Sequence, residues 1–358
     1  MATTQLHVPS ASSSMYEAPP LRDDASGAER MVGLELEFGG LETTDALGTI
    51  RDVLGGKIER LGPTVGHVRG TAFGDFTVEL DSTLFKERAY LDALKEMGID
   101  VEQQPAVGKA EELVLRVVKE FVPLEVVSPP IPWSRLAELD PLWGRLRERG
   151  ARGTHASWRF GFGLHLNVQA AELTADYVSA HLKAFLLLEP WLMQAGQTDL
   201  ARRLGPYIRP FPKEYRNLVL EPDYWPRWSR LVADYLEHSP VRDRPLDVLP
   251  LFASVDEAGI RERVEHAHLV RPRPTFHYRL PNCDIDQASW SPAEEWNRWV
   301  FVEQVAHDRA TLTALCERYG VAQKKLSLTD PWAPELEAWM SELAAAPRAA
   351  PAAAAAPP

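Results

Sequence analysis

Five segments of the chain alternate between apolar and polar positions with a period of two. In residues 32–40, VGLELEFGG, the apolar side chains share one face of a strand, and Glu35 and Glu37 share the other. Two carboxylates about 7 Å apart on one face repel each other, so on a buried face they need cations or donors as partners. The pattern predicts five half-buried strands. The other four segments are GDFTVELDSTL (74–84), PLEVVSPPIP (123–132), RFGFGLHLNV (159–168) and PTFHYRLPN (274–282).

Apolar positions at helical spacing predict helices between these strands. The spacing indicates helices over residues 45–54, 110–121 and 174–194. A further helix is expected to begin after Ser291, because Pro292 then stands at the first helical position. No internal repeat and no linker interrupts the middle of the chain. The irregular succession of strands and helices therefore predicts one α+β domain.

Both ends of the chain differ in composition from the middle. Residues 1–30 are rich in Ser, Pro, Ala and Asp, and the last residues, AAAPRAAPAAAAAPP, form a low-complexity Ala/Pro tail. Such compositions do not supply enough apolar side chains for a core. We therefore expect a disordered segment over residues 1–30, one folded domain over residues 31–343 and a disordered tail over residues 344–358.

Net charge and cysteine content exclude several classes of protein. The chain of 358 residues has a formal net charge of −12, which argues against general binding to nucleic acid or anionic membranes, since both need a basic surface. No apolar run approaches ~18 residues, the length of a membrane-spanning helix. Cys283 and Cys316 are the only cysteines, so neither a disulfide framework nor a zinc ribbon is supported. Because no secretory signal is visible, we expect a cytoplasmic location.

The polar faces of the five strands share an unusual composition. Of the 39 Lys and Arg residues in the chain, only Arg279 falls on these faces. Carboxylates and imidazoles are ligands for divalent cations, and negative charge concentrated on a sheet is costly unless ions neutralise it. These faces therefore indicate a metal site, with a solvated outer face as the alternative. The candidate side chains are Glu35, Glu37, Glu79, Asp81, Glu125, His165, Asn167, His277 and Arg279.

The order of these motifs resembles the amidoligase family, which is similar in fold to glutamate–cysteine ligase and glutamine synthetase. The resemblance covers VGLELEFGGL, VELDSTL, LEVVSP, GLHLNV and a late strand with Arg before Leu-Pro, over about residues 31–310. It implies a curved antiparallel sheet that forms an open active-site barrel, with helices packed on its outer face. It also implies ATP, Mg²⁺ or Mn²⁺, and a carboxylate–amine ligase that forms an amide or isopeptide bond through an acyl phosphate.

The resemblance also gives roles to individual residues. The implied metal ligands are Glu35, Glu37, His277 and Glu79 or Asp81. The implied contacts with metal or nucleotide phosphate are His165 and Asn167. The implied catalytic residues are Glu125, placed near ATP or metal, and Arg279, whose fork-shaped guanidinium suits the γ-phosphate or the acyl phosphate. Related ligases usually have Glu where this chain has His277, so the cage loses one negative charge, although a neutral imidazole can still ligate a metal.

Other residues and other functions keep alternatives open. Arg271 and Arg273 in VRPRPTFHYR are candidates for phosphate contacts, or belong to a solvated connection. His266 and His268 form an H-x-H for which a polar surface segment is the preferred interpretation. A metal-dependent hydrolase could use the same polar face to activate water, and a non-catalytic binding protein could retain the fold. The substrates would be a carboxylate and an amine of an amino acid, peptide or protein side chain, and the oligomeric state is left open.

Overall fold

One large antiparallel sheet organises the fold. The computed structural model describes residues 6–9, 15–80, 123–154, 162–198, 208–325 and 330–345. In this part of the chain nine strands pair in the order β2-β3-β4-β5-β1-β7-β9-β8, and β6 pairs with β1. The strands are β1 (Met31–Phe38), β2 (Lys57–Arg60), β3 (Val65–Thr71), β4 (Gly74–Leu80), β5 (Leu124–Val127), β6 (Ile131–Pro132), β7 (Leu164–Gln169), β8 (Leu246–Asp247) and β9 (Thr275–Tyr278).

The alternation of side chains along the sequence matches the two faces of the sheet. Along β1 every second side chain is buried, so its apolar residues face the core and its glutamates face the other way. The apolar side chains of β4, β5, β7 and β9 are buried on the same core side. All five strands predicted from the period of two are therefore present, with the predicted faces.

Helices cover the apolar face of the sheet. In the helix Pro292–His307, Trp299 packs on Phe276 and Tyr278 of β9, with ring centroids 5.5 and 5.6 Å apart. In the helix Ala175–Ala195, Phe185 meets Tyr278 edge-on at 6.0 Å. Burying these aromatic rings fixes the helices to one side of the sheet and leaves its polar side open. The helices are α1 (Thr43–Leu54), α2 (Asp140–Glu148), α3 (Ala175–Ala195), α4 (Lys213–Val219), α5 (Trp228–His238), α6 (Leu249–Val255), α7 (Glu257–Arg261), α8 (Pro292–His307), α9 (Arg309–Ala322) and α10 (Trp332–Ala345).

Local signals in the sequence explain where several helices begin. The side chain of Thr174 accepts a hydrogen bond from the backbone N–H of Tyr177 and caps α3. Ser291 caps α8 in the same way, and Pro292 occupies the first turn. The predictions of helices over 45–54, over 174–194 and after Ser291 are confirmed, whereas residues 110–121 lie outside the described residues.

The prediction of a sheet curved into a barrel is not confirmed. Within the described ranges, β2 and β8 are the two ends of the sheet and do not pair with each other. Closing a sheet requires that its edge strands meet in a consistent register. The β8 edge has only two residues, Leu246 and Asp247, so it offers little backbone for such pairing. The architecture is a mixed α/β fold with a large open antiparallel sheet.

Residues 15–30 pack against the folded body, although the composition of residues 1–30 predicts disorder. The backbone N–H of Glu17 donates to Asn297 Oδ1, and the indole N–H of Trp296 donates to the carbonyl of Glu17, both at 2.8 Å. Tyr16 donates to Asp140 Oδ1 at 2.9 Å. Composition misses this segment because it is held by polar contacts with α8 rather than by an apolar core of its own. The division of the whole chain into domains stays a prediction.

Among the described residues, no helix combines the length and the apolar character needed to cross a membrane.

Candidate functional site

Three glutamates form a row across neighbouring strands on the polar face. Glu37 of β1 pairs in register with Glu125 of β5, which pairs in turn with Glu79 of β4. Side chains directly opposite each other on antiparallel strands have Cβ atoms about 4.5–5.5 Å apart, and like charges there destabilise a sheet. Glu37 is held in place by the backbone N–H of Gly163, which donates to its Oε2 at 2.7 Å. We call Glu37, Glu79 and Glu125 the glutamate row; it concentrates negative charge on this part of the polar face.

A second group of ligand atoms lies beside the row and contains two imidazoles. Glu35 of β1 pairs in register with His165 of β7, and Nδ1 of His165 lies 3.3 Å from Oε2 of Glu35. Nε2 of His165 lies 3.7 Å from Oε1 of Glu37. Ligand atoms of Glu35, His165 and His277 all lie within 4.8 Å of one another. We call these three residues the Glu–His–His cluster, and one divalent ion could reach all of them.

Asn167 of β7 connects this cluster to a nearby arginine. Its Nδ2 donates to Oε1 of Glu35 at 2.8 Å, and its Oδ1 accepts from Arg273 at 2.6 Å. Nδ1 of His277 lies 2.7 Å from the same Oδ1. Since an amide oxygen only accepts, the His277 proton must sit on Nδ1. The network therefore leaves Nε2 of His277 as the ring nitrogen with a free lone pair.

Burial and charge set the ionisation of Glu35 and His277. Burial alone would raise the pKa of the Glu35 carboxyl, but the hydrogen bond from His165 and the charge of Arg273 hold it well below its usual range. Burial and the neighbouring Arg279 keep the pKa of His277 well below its usual range as well. At neutral pH the cluster thus holds an ionised carboxylate next to a neutral imidazole, which are the forms that bind a metal ion.

A cleft of about 210 Å³ opens on this polar face. Nearly all candidates from the sequence line it, and Asn167 is joined to it through Glu35, Arg273 and His277. Asp81 lies outside the described residues. The placement brings the candidates together, while their individual roles stay predictions. The candidates lining the cleft are Glu35, Glu37, Glu79, Glu125, His165, Arg271, Arg273, His277 and Arg279.

Sequence patterns did not indicate three further polar residues of the cleft, Arg242, Asp247 and His268. Asp247 lies on a strand of two residues, which is too short to show alternation, and Arg242 lies on a connection without a motif. His268 belongs to the H-x-H that was interpreted as a surface segment. Its exposed side chain nevertheless lines the cleft, because the 3₁₀ helix Ala267–Leu269 forms part of the wall.

Arg242 lies in a strongly cationic environment. Burial and the neighbouring charge of Arg279 lower the pKa of the Arg242 guanidinium. Arg242 makes no hydrogen bond or ion pair with any residue that the structure describes. Below it, burial raises the pKa of Asp247 to about 6, against the opposing charge of Arg279. A guanidinium that lies near another guanidinium and, like Arg242, forms no hydrogen bond or ion pair with the described residues is typical of a site that binds an anion.

The glutamate row and the arginines occupy different ends of the cleft. The glutamate row lies on β4, β5 and β1, whereas the arginines lie on or beside β8 and β9. A ligand that spans the cleft would meet carboxylates at one end and guanidinium groups at the other. This arrangement suits an anion accompanied by divalent cations. The arginines are Arg242, Arg271, Arg273 and Arg279.

Comparison with protein families is consistent with this chemistry. A family model described as "Putative amidoligase enzyme" matches residues 28–301. The chain belongs to this amidoligase family. Searches of curated proteins and of solved structures found no match. Every residue that lines the cleft lies within the matched range, so the amidoligase part of the chain contains the whole described site.

Membership of the amidoligase family indicates an enzyme of the ligase type. The donor set of this amidoligase fits a divalent cation at the Glu–His–His cluster, since a carboxylate with two imidazoles is a common ligand set. The glutamate row adds three carboxylates on the same face of the sheet through strand register.

Proposed function

We propose that this amidoligase is an ATP- and Mg²⁺- or Mn²⁺-dependent carboxylate–amine ligase. It forms an amide or isopeptide bond through an acyl phosphate, on an amino acid, a peptide or a protein side chain. The observation that carries the proposal is that the glutamate row and the arginines lie at different ends of one cleft on the polar face of the sheet, with the Glu–His–His cluster between them. Such a cleft meets the two needs of ATP chemistry, ligands for metal ions and donors for phosphate oxygens.

The glutamates and histidines would hold the ions. Glu37, Glu79 and Glu125 present oxygen ligands in one row, and Glu35 with His165 adds a second position next to Glu37. When bound, Mg²⁺ or Mn²⁺ would neutralise the negative charge of the phosphates and of the substrate carboxylate. The chain itself fixes these ligands through strand register and through the hydrogen bond of Gly163 to Glu37.

The arginines would hold the transferred phosphoryl group. Arg279 follows β9 directly, and its register position lies next to His165 on the neighbouring strand. A guanidinium donates two parallel hydrogen bonds to phosphate, which orients the group as well as compensating its charge. Arg242 and Arg273 would extend this donor set, and exposed Arg271 lies at the edge of the cleft.

We extend the proposal to the fold, the substrates and the cellular location of the enzyme. We propose that the open sheet is related to that of glutamine synthetase and glutamate–cysteine ligase, with helices on one face and the reaction on the other. Its partners would be small-molecule or peptide carboxylates and amines, without nucleic acid or membrane. The cytoplasm, where ATP is abundant, would be its location.

Isothermal titration tests the nucleotide site. A non-hydrolysable ATP analogue is titrated into the protein with and without Mg²⁺ or Mn²⁺. We expect metal-dependent binding that weakens by at least about tenfold in Glu35→Gln. The matched control is Glu148→Gln, which makes the same change on an exposed helical residue. Metal binding without nucleotide binding would favour a hydrolase, and binding of neither would favour a non-catalytic protein.

Trapping with hydroxylamine tests the ligase chemistry. Hydroxylamine attacks an acyl phosphate and converts it into a stable hydroxamate, so the substrate amine need not be known. The protein is incubated with ATP, Mn²⁺, hydroxylamine and pools of carboxylic acids. We expect hydroxamate and ADP in equal amounts with one pool, and a much lower rate in Arg279→Lys, which keeps the charge but loses the planar fork. ADP formed without hydroxamate from any pool would contradict the proposed intermediate.

A further inference from the structure

The two groups of ligand atoms on the polar face differ in chemistry. The glutamate row offers only oxygen atoms, from Glu37, Glu79 and Glu125. The Glu–His–His cluster offers one carboxylate and two imidazoles within 4.8 Å of one another. Mg²⁺ prefers an octahedron of oxygen ligands and keeps several waters, whereas imidazole nitrogen favours Mn²⁺ and the later transition-metal ions. The two places should therefore not accept the same ion equally well.

The hydrogen-bond network prepares His277 to act as a nitrogen ligand. Asn167 is fixed in orientation, because its amide N–H₂ donates to Glu35 and its oxygen accepts from Arg273. His277 must then donate from Nδ1 to Asn167 Oδ1, at 2.7 Å. No described residue forms a hydrogen bond with Nε2 of His277. A ligating histidine usually has this arrangement, with one nitrogen donating to an oxygen and the other facing the metal.

Charge compensation at Glu35 works against Mg²⁺. Arg273 lies 3.5 Å from Oε1 of Glu35 and already offsets part of its negative charge. A hard ion such as Mg²⁺ is held mainly by the charge of its ligands, so it gains less from this cluster than from the glutamate row. A transition-metal ion also gains from the imidazole nitrogens of His165 and His277.

We propose that the Glu–His–His cluster selects Mn²⁺ or a later transition-metal ion over Mg²⁺. His277 determines the selectivity, because it supplies nitrogen where a glutamate would supply a second carboxylate beside Glu35. The inference rests on the proposed function only in assigning metal ions to this face.

Metal titration without nucleotide tests the selectivity. Mn²⁺ affinity is measured in increasing Mg²⁺ for the wild-type protein and for His277→Glu. We expect one Mn²⁺ to resist displacement by Mg²⁺ in the wild type, and the preference for Mn²⁺ to fall by about tenfold in His277→Glu. The control is His307→Glu, the same substitution at an exposed residue at the end of α8. An unchanged preference in His277→Glu would overturn the inference.

Pulsed electron paramagnetic resonance of the wild type provides a second test that needs no variant. Imidazole ligands add ¹⁴N modulations to the signal of bound Mn²⁺, and we expect these modulations with Mg²⁺ present in excess. Bound Mn²⁺ without ¹⁴N modulations, or no bound Mn²⁺, would overturn the inference. The ATP analogue is titrated into the same sample with Mg²⁺. Binding of Mg²⁺ and nucleotide with no nitrogen-ligated Mn²⁺ would leave the proposed ligase in place and remove only the selectivity.

Discussion

Asn167 donates a hydrogen bond to Glu35 at 2.8 Å across two neighbouring strands. The two residues are not register partners, because Glu35 pairs with His165 and Asn167 pairs with Gly33. Gly33 has no side chain, and a Cβ built there would already lie 3.4 Å from Cβ of Asn167. The asparagine can therefore lean along the sheet toward Glu35. A glycine that looks unimportant in VGLELEF thus makes room for the contact that orients Glu35.

Removing the Asn167 amide should weaken metal binding. In Asn167→Leu the shape is nearly kept, but Glu35 loses a donor and His277 loses the acceptor that fixes its proton. We expect Mn²⁺ affinity to fall by about 10–100-fold, the usual effect of losing a group that orients metal ligands. Isothermal titration measures the change. Asn217→Leu, on the helix layer where Asn217 bonds Tyr319, is the control, and equal Mn²⁺ affinities in the two variants would contradict the role of Asn167.

Arg242 should contribute to binding of phosphate but not of metal. Arg242→Gln removes a cation that makes no hydrogen bond or ion pair with the described residues and lies beside Arg279. Hydrogen bonds to charged groups contribute about 1.5–3 kcal/mol, so we expect the metal–nucleotide complex to bind about 10–100-fold more weakly. Mn²⁺ alone should bind as well as before, or slightly better. The measurement is titration with the ATP analogue, and an unchanged affinity would remove Arg242 from the site.

The charge change at Arg242 needs a control outside the cleft. Arg227→Gln removes the same charge at an exposed residue that does not line the cleft. If both variants lose equal affinity, the effect comes from the overall charge of the protein and not from a contact with phosphate.

His181 gives folding a pH dependence that is separate from the cleft. Burial lowers the pKa of His181 to about 4, from an ordinary value of 6.5, against the opposing charge of Glu303. Below pH 6.5 the unfolded chain therefore binds a proton that the folded protein excludes. The free energy of unfolding is unaffected by this residue above that pH, and it falls as the pH is lowered toward 4. A shift of this size corresponds to about 3 kcal/mol.

Urea denaturation of His181→Gln measures this contribution. The substitution keeps a polar, neutral side chain but removes the group that titrates. We expect the free energy of unfolding of the variant to depend less on pH than that of the wild type, by about 3 kcal/mol over the interval in which His181 titrates. Identical pH dependence in both proteins would show that His181 does not stay neutral in the folded state.

A buried ion pair joins the start of β1 to α8. Both terminal nitrogens of Arg30 donate to the Glu303 carboxylate, at 2.8 and 2.6 Å, and both side chains are almost fully buried. Glu303→Leu would leave the Arg30 charge buried without its partner, so we expect a loss of about 3–5 kcal/mol in unfolding free energy. The double variant Arg30→Met/Glu303→Leu should recover much of this loss. Equal stability of the single variant and the wild type in urea would contradict the prediction.

Residues 15–17 should contribute to stability. Deleting residues 1–18 leaves the buried side chains of Trp296 and Asn297 without partners from the N-terminal segment, and each unsatisfied buried donor costs about 1–3 kcal/mol. We expect a lower melting temperature. Deletion of residues 346–358, which the sequence predicts to be disordered, should change it little. If the protein without residues 1–18 has the same melting temperature as the full-length protein, these contacts contribute nothing measurable to stability.

The sequence predicts the parts of the site that lie on regular strands. Glu35, Glu37, Glu79 and Glu125 are found because the period of two assigns each to the polar face without knowledge of the pairing. Helix starts such as Ser291 are found because capping is local. Local patterns therefore predict well which residues lie on each face of a strand.

Features that depend on long-range geometry are not predicted. Asp247 and Arg242 reach the cleft only because a short edge strand pairs with β9. The openness of the sheet depends on the positions of β2 and β8, which no local pattern encodes. Residues 15–17 are missed because their hydrogen bonds connect to residues about 280 positions away. Spatial neighbours that are distant in sequence leave no periodic signal.

The most direct test of the proposed function is a crystal structure of the protein with Mn²⁺ and a non-hydrolysable ATP analogue. We expect anomalous peaks for Mn²⁺ at the glutamate row and at the Glu–His–His cluster. We also expect phosphate oxygens within about 2.7–3.2 Å of guanidinium nitrogens of Arg242 or Arg279. Nucleotide bound away from the polar face of the sheet, or phosphates that contact neither metal nor arginine, would contradict the proposal that this cleft is the site of an ATP-dependent ligase.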